Sequence, residues 1–307
     1  MFKKETAIWG RPSPNCLQEA YMAEYRQKKI AMINDLSGYG RCSLTVAIPI
    51  LSAMKIQCCP IPTSILSNHT GFPVYFFDDY SEKIPAYIKK WKELKLSFDG
   101  IVSGFLGSEA QIEMVKEIIR DFGSKDTAII IDPIMGDHGE TYATFTSALC
   151  TRMRELVAMG NVVTPNLTEA CILTDRPFCS QGWTREKLKA LARNIQDMGP
   201  RAVVITGVNQ GGYVVNVVAD GAKEITFLKP IRIGRERPGT GDVFSSVIAS
   251  CIVAGWELNE AVRLAASFVK KCIRRSEELD IPLQNGVCFE ELLGVLVHAA
   301  DKKSFRT

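Results

Sequence analysis

Ala128-Ile129-Ile130-Ile131-Asp132-Pro133-Ile134-Met135-Gly136-Asp137 runs four apolar residues together without a polar alternation, then sets two carboxylates five positions apart. A half-wet strand alternates apolar with polar, whereas a strand covered on both faces is apolar throughout, as in parallel sheets. Similar short β-branched runs stand at 30–33, 101–106, 161–164 and 202–206. Helical spacing lies between them. In 108–123, Ile112, Val115, Ile118 and Ile119 recur behind a candidate N-cap, Ser108. In 184–200, Leu188, Leu191 and Ile195 share one face, Thr184 can cap the start and Gly199-Pro200 stops the run. The predicted fold is α/β, a mostly parallel central sheet with helices on both faces.

Two regions depart from this rhythm. Residues 57–80 are strand-like but rich in Pro, Asn, His and Thr, and 212–233 read as a hairpin turning at Asp220-Gly221. Both suit small β flaps at a sheet edge. Residues 1–28 mix prolines and charges without a period and lack the apolar stretch of a signal peptide. They read as a poorly ordered extension, or as an overlong start with Met22 as the true one. One domain over 29–300 follows, with a tail at 301–307.

The totals narrow the function classes. The chain has 307 residues, 46% of them apolar, enough for a substantial core. Lys and Arg total 37 against 34 Asp and Glu, with no basic block, so nucleic acid is not the expected partner. Ten scattered cysteines without a CxxC pair read as reduced, cytosolic thiols, placing the protein in the cytoplasm. No apolar run reaches the roughly 18 residues of a membrane span. Three histidines without HExxH spacing argue against a histidine-based metal site.

Arg237-Pro238-Gly239-Thr240-Gly241-Asp242 leads into a helix-length apolar segment. Glycines permit close backbone approach, and a helix start offers unpaired N–H donors and partial positive charge to an anion. Asp242 would then take a proton from an attacking hydroxyl; alternatively it only caps the helix. Other strand ends supply company: Asp132 and Asp137, then Thr164, Asn166 and Glu169 in TPNLTE, then Thr206-Gly207. Ligands collect beyond the carboxyl ends of parallel strands, and such oxygens suit Mg²⁺ held through nucleotide phosphates. Each alone could be a turn. Gly38-Tyr39-Gly40-Arg41-Cys42-Ser43 imitates GxGxxG but lacks the third glycine and the acid downstream, which argues against NAD; no GxxxxGK[ST] is present either.

Together, NDLSGYGRCS, SNHTGF (67–72), DPIMGD, TPNLTE and RPGTGD resemble the ribokinase-like superfamily, and within it the pyridoxal/pyridoxamine kinases, over roughly 29–300. The resemblance implies ATP-dependent phosphorylation of the 5'-hydroxymethyl group of a vitamin B6 vitamer, in a homodimer whose flaps cover the site. It makes Asp242 the base and Gly239, Thr240 and Gly241 the anion hole. Asp132, Thr164 and Thr206 fall where the family holds a monovalent cation, K⁺ among the candidates, and the nucleotide phosphates. Asp137, Asn166 and Glu169 fall where it organises Mg-ATP, with Asp132, Asp137 and Glu169 as metal ligands. Thr70, with His69 beside it, falls at the pyridine ring. Asp35 departs from the pattern, standing where many pyridoxal kinases carry serine and closer to DPSGGAG of the hydroxymethylpyrimidine kinases. Either it accepts a hydrogen bond from the ring or a cationic amine, or it caps a turn; His69 likewise either meets the ring or satisfies loop backbone. A hydroxymethylpyrimidine kinase and a non-catalytic vitamer-binding protein are the rivals. A sugar kinase is disfavoured because no GGN-type segment occurs near the amino end.

Overall fold

The computed structural model describes residues 27–142 and 145–304. Most of the 1–28 extension therefore lies outside the described residues; Lys28, at its end, pairs with Asp99 at 2.9 Å. Eleven strands alternate with nine helices among the described residues. Nine strands make one sheet, ordered β11(Thr226–Leu228), β10(Tyr213–Asp220), β9(Ala202–Gln210), β8(Val162–Val163), β5(Ala128–Ile131), β4(Gly100–Ser103), β1(Lys29–Tyr39), β2(Gln57–Asn68), β3(Phe77–Asp79). The six strands from β9 to β2 are parallel, so their carboxyl ends share one edge. β3, β10 and β11 add antiparallel margins.

Side-chain alternation along β1 divides the core in two. Ala31 and Ile33 face a cluster under α2(Ile84–Glu93), α3(Glu109–Phe122), α4(Ser147–Val157), α5(Leu167–Leu173) and α6(Arg185–Gln196). Ile30 and Met32 face the other cluster, under α1(Ser43–Ala53), α7(Thr240–Val253), α8(Leu258–Glu278) and α9(Leu293–Ser304). Ser108 and Thr184 cap α3 and α6, each accepting a bond from the backbone N–H three residues on. α9 takes in the first four residues of the 301–307 segment. No described helix is long and apolar enough to cross a membrane.

The two irregular regions are more deeply built in than flaps. β2 pairs with β1 along its length despite Pro60 and Pro62. The Pro60 carbonyl accepts the Tyr87 hydroxyl at 2.9 Å, away from β1, so the missing N–H of Pro60 is on that side too. β10 is covered on both faces, Val215, Val217 and Ala219 to one side and Val218 to the other. Only β11 and β3 are edges of the sheet. A separate two-stranded piece forms from β6(Gly136–Asp137) and β7(Glu140–Thr141), just beyond the end of β5.

α7 reaches the sheet centre through a glycine. A Cβ on Gly100 of β4 would meet Val253 Cγ2, at the end of α7, at 2.7 Å and Ile30 Cγ1 at 3.2 Å. Gly100→Ala should therefore destabilise the protein by about 1–3 kcal/mol through overpacking, read as a lowered midpoint in urea with an unchanged m value.

Candidate active site

The first turn of α7 is set by a backbone collision that only glycine avoids. Gly239 is its N-cap, left-handed at φ 78°, and a Cβ there would lie 1.8 Å from the Arg41 carbonyl oxygen. Thr240 Oγ1 donates to the Arg237 carbonyl at 3.0 Å and Val243 N to the Gly239 carbonyl at 2.9 Å, closing the turn. First-turn amides have no acceptor within a helix. Gly241 is exposed and nothing lies within 4 Å of where its Cβ would be, so this end is open to an incoming group. Gly241 does not need a positive φ; its use is the free space.

Asp242, in the same turn, is partly buried. Burial pushes its carboxyl up to about 6, and the Asp35 charge adds to this; the Ser43 backbone N–H and the Asn34 amide pull the other way. Asn34 opens the NDLSGYGRCS stretch, which by itself assigns it no role. Its Oδ1 accepts the N–H groups of Asp35 and Phe105, each at 3.0 Å, which leaves Nδ2 to face Asp242 Oδ1 at 3.3 Å. The only sequence signal is an amide closing the apolar run of β1.

Asp132 ends β5 and is buried. Burial, then the charge of Asp242, raises its pKa, while the Ser245 and Thr164 hydroxyls favour the charged form. Thr164 Oγ1 is buried and completes no well-formed hydrogen bond. Glu169 is also raised, by burial and then by Asp132. Both its oxygens are committed locally: Oε2 accepts Asn166 N at 2.7 Å and Oε1 accepts Met135 N at 3.1 Å. Asn166 returns the bond as the N-cap of α5, and its Nδ2 holds the Gly136 carbonyl at 2.8 Å. Among the described residues no three of His, Cys, Asp and Glu gather closely enough to hold one metal ion. Of the expected ligand set Asp132, Asp137 and Glu169, Glu169 also closes the cap of α5 and Asp137 stands exposed on β6. Mg²⁺ commonly takes only one or two carboxylates and completes its shell with phosphates and water, which Asp132 and Asp137 can supply. Thr206 Oγ1 is turned to the Pro165 carbonyl at 3.5 Å.

On the amino side, Asp35 is buried with Ser37 Oγ on one oxygen at 2.9 Å and Ser43 Oγ on the other at 2.5 Å. It ties the 38–43 loop together, the turn-holding role. Burial raises its pKa nonetheless. His69 Nδ1 accepts Gly71 N at 3.1 Å, so Nε2 carries the proton and donates to the Gln284 carbonyl at 2.7 Å. The ring thereby links two loops. Thr70 is exposed beside it. The partner loop, 281–288, carries no motif and sequence reasoning passes over it, although its Asn285-Gly286 pair is a turn signal. A cleft of about 590 Å³ lies between that loop and Arg235, Arg237 and Glu277.

A glycine-capped helix start carrying an aspartate, at the carboxyl ends of a parallel sheet, matches a known family. The phosphomethylpyrimidine kinase model matches residues 77–286. The chain belongs to this family. It is thus a ribokinase-like phosphotransferase by membership. A candidate phosphomethylpyrimidine kinase from Bacteroides thetaiotaomicron is 38% identical, with a TM-score of 0.86 over 89% of this chain and 95% of that one. A second crystal form of it, TM-score 0.83 over 90% and 96% of the chains, contains pyridoxal. The pyridoxine/pyridoxal/pyridoxamine kinase of Bordetella avium is 28% identical, over 79% of this chain and 84% of that protein. The thiamine biosynthetic bifunctional enzyme TH1 of Arabidopsis thaliana is 26% identical over 80% of this chain; the chain spans 46% of that enzyme's length.

The crowding of carboxylates in this family member has a measurable signature. An acid whose folded pKa is raised favours the fold while protonated and loses that advantage as pH rises through the folded value. Asp242→Asn should therefore raise the melting temperature at pH 8, for a stability gain of at most about 3 kcal/mol, and the gain should shrink to about half by pH 5 and vanish only below about pH 4. Equal melting curves at pH 8 would show that the carboxylate is not strained.

Proposed function

We propose that the protein transfers the γ-phosphoryl group of ATP to the 5'-hydroxymethyl group of a vitamin B6 vitamer, pyridoxal, pyridoxamine or pyridoxine, in cytoplasmic salvage of pyridoxal phosphate. The carrying observation is Asp242, held by Asn34 beside the open amides of the α7 first turn. Support for the vitamer comes from the 38% identical relative crystallised with pyridoxal.

The hydroxymethyl oxygen approaches Asp242, which accepts its proton as the oxygen bonds to phosphorus. The carboxyl must be ionised for this, and a pKa near 6 leaves it ionised yet basic at neutral pH. The amides of Gly239 to Gly241 and the helix dipole receive the negative charge of the transferred group. Asp132 and Asp137 would hold a magnesium ion arriving on the nucleotide phosphates, which supplies further charge neutralisation. Thr164, Asn166 and Thr206 line the same strand ends and would border the phosphates, with Glu169 fixing that corner. Asp35, bound by Ser37 and Ser43, orders the loop under His69 and Thr70, where the ring would sit. A second copy would cover the exposed apolar run Val74, Tyr75, Phe76 and Phe77, giving a homodimer.

A second reading, hydroxymethylpyrimidine kinase, is favoured by the family model and by the acid at position 35. Purified protein assayed with Mg-ATP and KCl against pyridoxal, pyridoxamine, pyridoxine and hydroxymethylpyrimidine separates the readings. The highest kcat/KM should fall on a B6 vitamer. A higher value for the pyrimidine replaces this reading with the second, and binding without turnover leaves a vitamer-binding protein. Asp242→Ala should lower kcat by ~10² to 10⁴-fold with ATP affinity little changed. The wild-type kcat/KM should be level above pH 7 and drop about tenfold per unit well below pH 6; a flat acid limb would remove Asp242 from the role of base.

A further inference from the structure

The loop 281–286, between α8 and α9, turns its carbonyl groups inward. The Ile281, Pro282 and Gly286 oxygens all accept from one nitrogen, Arg237 Nη1, at 2.8, 3.3 and 3.3 Å. The Asn285 oxygen accepts Arg41 Nη1 at 3.1 Å, and the Gln284 oxygen faces His69. Arg237 is 4% exposed, and its Nε has no partner. Its side chain is thus turned into the protein and away from solvent.

A buried guanidinium normally meets a carboxylate. Here the direct partners are neutral carbonyls, and Glu277 contributes only attraction from further away. A ring of backbone carbonyls is how proteins replace the hydration shell of a potassium ion. One charged nitrogen already stands at the centre of such a ring. Its place in the chain is telling: the Arg237 carbonyl holds Thr240 Oγ1, so the charge lies directly behind the anion-accepting turn. Three carbonyls that could face a cation are thus occupied from within, by a charge that the chain itself supplies.

We propose that Arg237 is a built-in cation, a positioning residue whose fixed charge orders the 281–286 loop and the α7 first turn in place of a bound monovalent ion. The inference rests on the kinase reading only for its activity arm.

The test uses the full chain in tetramethylammonium buffer, with KCl replacing tetramethylammonium chloride at constant ionic strength. Wild-type kcat should change less than about twofold, and its melting temperature should show no potassium-specific shift. Arg237→Met keeps most of the stem and removes the charge. It should lose at least about tenfold in kcat without potassium, regain most of it with potassium, and melt higher in potassium than in tetramethylammonium. Activation of the wild type by potassium of about tenfold or more overturns the proposal. So does a variant fully active without potassium, or a folded variant that neither regains activity nor gains stability with the ion. If no substrate is turned over, the kinase reading fails while the melting shifts still decide this one. If Arg237→Met does not fold, the wild-type response to potassium decides alone.

Discussion

The approach of the Gly239 backbone to the Arg41 carbonyl is the contact on which the rest of the mouth of the sheet depends. An added Cβ would lie 1.8 Å from that oxygen, so the two loops pass with nothing between them. This contact fixes the start of α7 against the 38–43 loop, and with it the position of Asp242 relative to Asn34 and Ser43. Arg41 then extends outward: its side chain grips the Asn285 carbonyl and Glu290, so the carboxyl-terminal loop is tied to the same point. Three segments far apart in the chain are thus held by one residue's backbone and side chain.

Around this point the protein gathers negative charge rather than dispersing it. Asp35, Asp132, Glu169 and Asp242 are each raised by burial, and the raised groups add to one another's shifts. Such an arrangement opposes folding at neutral pH, and it fits a site whose work begins when cationic or N–H-donating partners arrive. Local bonds limit the cost. Glu169 is satisfied by a capping box and Asp35 by two serines, so the unspent basicity is concentrated on Asp242, whose side-chain bond to Asn34 is long at 3.3 Å. The same burial that strains the fold raises the basicity of this carboxylate.

The parallel core was legible because its signal is local: unbroken apolar strands and capped amphipathic helices imply their own burial, and the strands at 30–33, 128–132 and 202–206 form as expected. The edge regions were less so. Pro60 and Pro62 resembled flap chemistry because the pattern does not say which side of a strand is paired, and β10 resembled a hairpin arm because it is one, with a second sheet neighbour in β9. At the site, the residues in recognisable motifs converge on the strand ends, but what each is bound to was hidden. The capping box that Glu169 closes in TPNLTE and the two hydroxyls that hold Asp35 are not readable from the motifs.

The hidden residues share a physical reason. Asn34, Arg237 and the 281–286 carbonyls reach partners between 44 and 244 positions away, and two of the three kinds of group involved, amide and backbone carbonyl, carry no distinctive side-chain pattern. Arg237 shows how this inverts a reading. An arginine among polar and glycine residues reads as solvated until three carbonyls from another loop enclose it. The motif RPGTGD therefore has two halves: Gly241 and Asp242 stand at the open mouth of the sheet, and its arginine faces backward into the protein, where it holds the 281–286 loop.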